Sequence, residues 1–394
     1  MSAGPLAGLR VLEMAGTAPG PFACMMLADL GAEVLRLDRA DRVRPDSSIP
    51  ADPLARNRRS IGVDIKSPQG AALVKRLAVE ADVFVEGFRP GVMERSGLGP
   101  DDLLEANQRL VYARMTGFGQ DGPLAPRAGH DINYIAVAGA LEPIGRPGER
   151  PLVPLNLVGD FGGGGMLLAF GIMAALHERS GSGRGQVVDA AMVDGAALLS
   201  AFIHGLRAEG NWSPQRGMNL LDGGAPFYDT YETADGKYVA VGALESRFYR
   251  LLLDGLGLNP ERLPDRMNRR AWPELRDRLA VAFKARTRDE WSEVFDDLDA
   301  CVSPVLAPHE VASSRHARAR NSFIEIDGVE QPAPAPRFSR TPAGVPTAPR
   351  NPGADTDRAL RDWGLSLDEI TALHNQSAIA RADNRDRVEQ EHSA

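Results

Sequence analysis

The chain has 394 residues, 43% of them hydrophobic and 25% charged, a balance typical of folded globular proteins and a length that calls for two domains. A net charge of −8 argues against a general nucleic-acid binder, and two cysteines, Cys24 and Cys301, can supply neither a disulfide framework nor metal-site spacing. The start lacks a secretion signal, no apolar run approaches the roughly 20 residues of a membrane helix, and "EHSA" is no peroxisomal address, so a cytoplasmic protein without a membrane span is expected.

In chain order, "LRVLEMA", "FACMMLADLG" and "AEVLRLD" read as strand, helix and strand of a parallel β-α-β unit. "SIGVDIK", "GAALVKRLAVEA" and "DVFVEGF" repeat the pattern, which makes the N-terminal part α/β. The first turn, "GTAPGPFA", is not the G-x-G-x-x-G arrangement that seats a pyrophosphate, so a nicotinamide or flavin site is poorly supported. A helix is expected over 166–178 and an extended segment at "QVVDAAM". "FYDTYETADGKYVAVGAL" alternates about Asp235 and Gly236 as a hairpin does, and helices follow in "SRFYRLLLDGLG" and "WPELRDRLAVAFKA". Seven prolines from Pro332 to Pro352 favour an extended crossing, before a final helix at "DRALRDWGLSLDEITALHN". The expected division is a large α/β domain beginning over 1–195, a linker at 196–225, a small α+β domain at 226–329, a return segment with the C-terminal helix at 330–380, and a frayed charged tail at 381–394.

Three features bear on chemistry. In "VGDFGGGGMLLAFG", Asp160 precedes four glycines. A plain N-cap is one reading, but a cap does not need glycines that weaken a helix, and bare N–H groups at a helix start suit a developing oxyanion. In "GHDINYIAVAGAL", His130 stands among Asp131, Asn133 and Tyr134. An imidazole with an ordinary pKa of about 6.5 can take and return a proton near neutrality. The other six histidines read as structural, and on spacing alone His130 and Asp160 are a weak pairing. Third, eight basic residues from Arg36 to Lys66 face five aspartates, a surplus that suits either a polyphosphate ligand or a solvated face. Arg89 in "FRPGVMER" is a further phosphate contact or a surface ion.

"GLRVLEMAGTAPGPFACMMLADLGAEVLRLDR", "GVDIKSPQG", "FRPGVMER", "ARMTGFGQDGP", "GHDINY", "GDFGGGG", "GRGQVVDAAM" and "MNLLDGGAPFY" together resemble the family III (CaiB/BaiF-like) CoA-transferases, over about residues 6–375. "GHDINY" and "NLLDGGAPFY" are similar to the branch that racemises 2-methylacyl-CoA thioesters. The resemblance implies large and small domains joined by long linkers in an interlocked homodimer. It implies His130 and Asp160 as the two catalytic bases, with Glu245 in "VGALESRFY" assisting the histidine. It implies CoA contacts at Arg39, Val63, Asp64, Ile65, Lys66, Arg89, Gly129, Asp131, Ile132, Asn133 and Tyr134. The reaction expected is exchange of an α-proton through an enolate, with backbone N–H groups at Asp160, Phe161 and Gly162 facing the thioester oxygen. CoA enters as part of the substrate, and no metal or further cofactor is called for. Met166, Met192 and Met218 offer an adaptable surface for the acyl chain, or ordinary core filling. The rivals are a CoA-transferase that uses Asp160 as nucleophile, a non-catalytic CoA-ester binder, and a nicotinamide dehydrogenase that the missing glycine fingerprint disfavours.

Overall fold

The computed structural model describes residues 4–44 and 51–382. They fall into two units. The larger comprises Met1–Ala138, Leu155–Leu199 and Ala319–Ala394, and the smaller Gly139–Pro154 and Ser200–Arg318.

The larger unit is built on strands β1 (Arg10–Met14), β2 (Glu33–Arg39), β3 (Arg58–Val63), β4 (Val83–Glu86), β5 (Val111–Thr116) and β6 (Val187–Ala191). They lie in the order β3-β2-β1-β4-β5-β6, all parallel, and the two-residue strand Ile379–Ala380 adds an antiparallel edge beside β3. The chain winds outward from β1 in one direction through β3 and then restarts at β4 on the other side. The crevice beyond the carboxyl ends of β1 and β4 is therefore the position where open α/β sheets bind ligands.

Period-two alternation buries both faces of this sheet. Leu12, Leu35, Phe84 and Tyr112 point to one side, where α2 (Pro68–Val79) packs with Leu73 and Leu77. Val11, Val34, Val83 and Val111 point to the other, against Cys24 and Leu27 of α1 (Pro19–Asp29) and Leu168 and Ile172 of a helix at Leu167–Ser182. The C-terminal segment returns to the first of these layers with Leu360, Trp363, Ile370 and Ile379.

The smaller unit has a three-stranded antiparallel sheet, Tyr228–Glu232, Tyr238–Gly242 and Val302–Pro304, with Gly236 at φ 74° in the hairpin turn. Tyr231, Val239, Leu252, Leu279, Phe283, Trp291 and Phe295 form its core.

Several sequence expectations change here. The first boundary lies at Leu199 rather than residue 195, and the smaller unit closes at Arg318 rather than 329. A hairpin, Phe323–Ile326 with Val329–Pro332, belongs to the larger unit because its buried Gln331 accepts a bond from Arg56 there. Residues 139–154 belong to the smaller unit, and the expected linker contains a helix, Ala201–Ala208. The final helix is two, Thr356–Asp362 and Leu367–Asn375, broken at Gly364 (φ 90°) and restarted by a Ser366 and Glu369 capping box. No helix or strand lies between Pro332 and Thr356, and most of the expected tail lies outside the described residues.

The helix expected over 166–178 starts earlier, as π-helix over Leu157–Met166, and runs on to Ser182. Leu157–Ser182 is a single helix of 26 residues whose most apolar 18-residue window has a mean hydropathy of 1.5, long and apolar enough by length and composition to cross a membrane, where the sequence suggests no such run. In the fold, Leu168, Ala169, Ile172 and Ala175 of this helix are buried on the sheet.

Candidate active site

A cleft of about 350 Å³ opens at the switch point of the large sheet. Its walls are the segments that leave β1 (Met14 to Pro21), β4 (Glu86 to Pro90) and β5 (Thr116 to Phe118), with Gly129, His130, Tyr134, Asp160 and Met192. Of the residues singled out in the sequence, the structure thus brings together His130, Asp160, Arg89, Gly129, Tyr134 and Met192.

His130 is exposed at the N-cap of α5 (here Asp131–Val137, with α3 at Val92–Arg95 and α4 at Pro100–Ala106). Asn133 fixes it, taking the His130 N–H on its side-chain oxygen at 3.0 Å while its own N–H donates to the His130 carbonyl at 2.8 Å. Gly129 must approach closely here, since a Cβ would lie 2.8 Å from the Tyr134 ring, and its carbonyl accepts the Tyr134 hydroxyl.

Asp160 lies inside the π-helical stretch. Four glycines there serve packing first. A Cβ on Gly163 would lie 2.6 Å from the Ala196 amide nitrogen of the helix Met192–Leu199, and one on Gly165 would lie 2.7 Å from the Pro19 carbonyl and the Phe22 ring of α1. The wide turns let three helices meet backbone to backbone and set Asp160 into the cleft wall.

Burial pushes the Asp160 carboxyl above the ordinary aspartate range. The neighbouring Asp131 carboxylate adds to this, while the Asn156 amide, which donates to Oδ2 at 3.0 Å, and His130 oppose it. Burial likewise raises the Tyr134 phenol, with Asp160 adding and Arg89 opposing.

Two site expectations are corrected. The amides of Asp160 and Phe161 are already committed, the first to Asp131 Oδ2 at 2.7 Å and the second to the Asn156 carbonyl at 3.4 Å, and the π-helical spacing continues through Gly162. These three do not form an open oxyanion site. At the start of α5, next to the cleft-lining His130, the amides of Asp131 and Ile132 precede the first bonded turn. The second correction is Asp131 itself, which is 6% exposed and turned under the cleft floor rather than toward a ligand.

Arg89 sits on a loop held from below. Buried Glu86 accepts the Phe88 N–H at 2.7 Å and the Arg114 Nε–H at 2.8 Å. Burial raises the Glu86 carboxyl against these contacts. Arg39 and the residues Val63, Asp64, Ile65 and Lys66 lie outside the cleft, at the carboxyl ends of β2 and β3 along the same sheet edge. Arg39 is exposed and paired with Asp41 at 2.5 Å.

The basic stretch is largely spent on the fold. Arg56 pairs with Asp29 at 2.5 Å, Arg36 with Asp38 at 2.6 Å, Arg58 with Glu13 and Arg59 with Glu33, and the first three arginines are buried. Glu245 lies in the smaller unit as N-cap of the helix Ser246–Leu256, its carbonyl accepting the Tyr249 N–H at 3.0 Å. Met218 also belongs to the smaller unit, and Met166 is 48% exposed. Sequence reasoning missed Met14, Met115, Phe118 and Arg127 in the cleft lining, and Asn156. Only the Asn156 spacing, one helical turn before Asp160, carried a signal.

A larger hollow of about 590 Å³ in the smaller unit holds none of the expected bases, and its Asp229 is already paired with Arg146 and Arg276, each at 2.9 Å. Among the described residues no cluster of His, Cys, Asp and Glu has the makings of a metal site.

Comparison with known proteins gives one direction. Residues 6–357 match the model of CoA-transferase family III. Over 95% of the chain and 97% of theirs, it is 50% identical to the alpha-methylacyl-CoA racemase of Mus musculus and 48% identical to that of Homo sapiens. A CaiB/BaiF family protein from Brucella suis superposes with a TM-score of 0.78 at 25% identity, covering 92% of this chain and all of that one.

Proposed function

The chain belongs to CoA-transferase family III, and from that membership we propose that it epimerises 2-methylacyl-CoA thioesters between their (R) and (S) forms by proton transfer through an enolate. The observation that carries this reading is the meeting of His130 and Asp160 in one cleft, with the Asp160 carboxyl raised so that it can hold a proton nearer neutrality.

Inversion at one carbon requires a base on one face and an acid on the other. In the (S)-to-(R) direction neutral His130 abstracts the α-proton and protonated Asp160 returns one, and the reverse direction exchanges the roles. An enolate forms only if its oxygen is stabilised, and the amides of Asp131 and Ile132 at the start of α5 are the donors for it. Arg89 and Arg127 in the cleft, with Arg39 and Lys66 farther along the sheet edge, contact the CoA moiety. Met14, Met115 and Met192 line the acyl path.

A second copy of this chain is the proposed partner. Leu157, Phe170, Leu198 and Leu199 of the larger unit are each more than half exposed, and Met166 nearly so, a surface that a homodimer would cover. Both cysteines are unpaired, which suits a reducing, cytoplasmic compartment.

The test is chiral analysis of a single-enantiomer 2-methylacyl-CoA, with and without an added carboxylic acid. Loss of optical purity with no acid present supports the racemase. Turnover that requires the acid and moves CoA onto it would instead make Asp160 the nucleophile of a transferase.

A further inference from the structure

Beside the two proposed proton carriers lies a third titratable residue, Asp131, that the reaction does not consume. Asp131 follows His130 directly in sequence and opens α5, yet its side chain reaches across to the other segment, where Oδ2 accepts the Asp160 N–H at 2.7 Å. The contact is tightly seated, since a Cβ on Gly159 would lie 2.5 Å from the same oxygen. Asp131 is 6% exposed, and its other oxygen, Oδ1, has no partner among the described residues. A half-satisfied buried carboxylate is costly, and a salt bridge or a second donor would relieve it. Neither is present, which sets this aspartate apart from Asp29, Glu13 and Glu86, whose buried carboxylates all face arginines.

We propose that Asp131 is a positioning residue: its carboxylate ties the helix start that carries His130 to the backbone of Asp160 and so fixes the separation and facing of the two proton carriers. The inference rests on the racemase reading of this cleft. Misplacement by about 1 Å can cost on the order of 100-fold in rate, so a single bond between the two segments can matter that much. The unpaired negative charge has a second effect, because it disfavours ionisation of Asp160 and adds to the effect of burial. The other titratable groups around Asp160 are His130, which acts in the opposite sense, and Tyr134, whose phenol responds to Asp160 and Arg89. On the neighbouring helix Met192–Leu199 the acidic residue is Asp194, which acts on Asp189.

The experiment uses two variants of the full chain. Asp131→Ala removes both the acceptor and the charge, whereas Asp131→Asn keeps an acceptor oxygen for the Asp160 N–H and removes only the charge. Asp131→Ala should lower kcat about 100-fold while KM changes less than about threefold, and Asp131→Asn should recover most of that loss. Carboxyl ¹³C titration of Asp160 should move to lower pH in Asp131→Asn. A folded Asp131→Ala protein with wild-type kcat would overturn the proposal, and so would an Asp131→Asn protein with an unmoved Asp160 titration. The titration needs no turnover. Absence of racemisation by the wild-type protein therefore counts against the proposed function, while the position of the Asp160 titration judges this inference separately. If Asp131→Ala fails to fold, the Asn variant decides.

Discussion

The two segments that face each other across the cleft reach the same capability by opposite routes. Residues 129–134 start a short helix at the surface, where an exposed histidine sits at the N-cap and the backbone and side chain of Asn133 fix it. Residues 156–166 are wound into wide turns and clamped by neighbouring helices, and the aspartate they carry is half-buried. An imidazole needs little help to carry a proton near neutrality, while a carboxyl needs burial and a neighbouring charge. The Asp160 carboxyl is raised by its surroundings.

The severest way to break this comparison is to remove either carrier. His130→Ala and Asp160→Ala should each lower α-proton exchange by about 10²- to 10⁴-fold with thioester binding retained, measured by deuterium uptake and by calorimetry. A variant that keeps near-normal exchange removes its residue from the mechanism.

The clamped segment should respond to added volume as the open one does not. Gly163→Ala forces a methyl against the Ala196 amide and should cost about 1–3 kcal/mol in urea unfolding, whereas exposed Ile132→Ala should stay within about 0.5 kcal/mol. Equal costs would mean that the glycine stretch is not clamped.

A gentler change addresses the carboxyl's proton. Asn156 donates to Asp160 and holds its pKa down, so Asn156→Ala should raise it and move the acid limb of the kcat/KM profile to higher pH. An unmoved limb would show that the amide has no hold on the acid.

The smallest effect is on stability. Folding raises the Asp160 pKa above the unfolded value of about 3.9, so between the two values the native state keeps a proton that the unfolded chain has lost. Stability contributed by this group is therefore present below the unfolded value and lost as pH rises through the folded one. Asp160→Asn should melt higher than wild type at pH 7, and the gap should close on acidification below the unfolded value. A gap that is the same at both pH values would contradict a raised pKa.

Much of this fold was legible in the sequence because it is local. The alternating runs at residues 10–14, 33–39 and 83–86 identify themselves as strands, and the hairpin at Gly236 declares its turn. The order β3-β2-β1-β4 was not legible, because pairing β1 with β4 is a choice among distant partners, and with it went the place of the cleft. The glycines of residues 162–165 read as room for a ligand. Their neighbours, Ala196, Pro19 and Phe22, come from segments whose approach no local pattern records. The structural use of Arg56 and Arg58 within the basic stretch was hidden for the same reason, since Asp29 and Glu13 stand more than 25 residues away in sequence. His130 and Asp160 were a weak pair on spacing and a strong one by resemblance, and the fold now gives them a shared cleft.

The central claim is that a proton leaves one face of the α-carbon and another returns to the opposite face. NMR of a single-enantiomer 2-methylacyl-CoA incubated with the protein in D₂O tests it most directly. The account predicts deuterium at the α-carbon together with loss of optical purity, from either enantiomer and with no acyl acceptor present. An enantiomer that stays optically pure and unlabelled at the α-carbon, from either starting form, would contradict it.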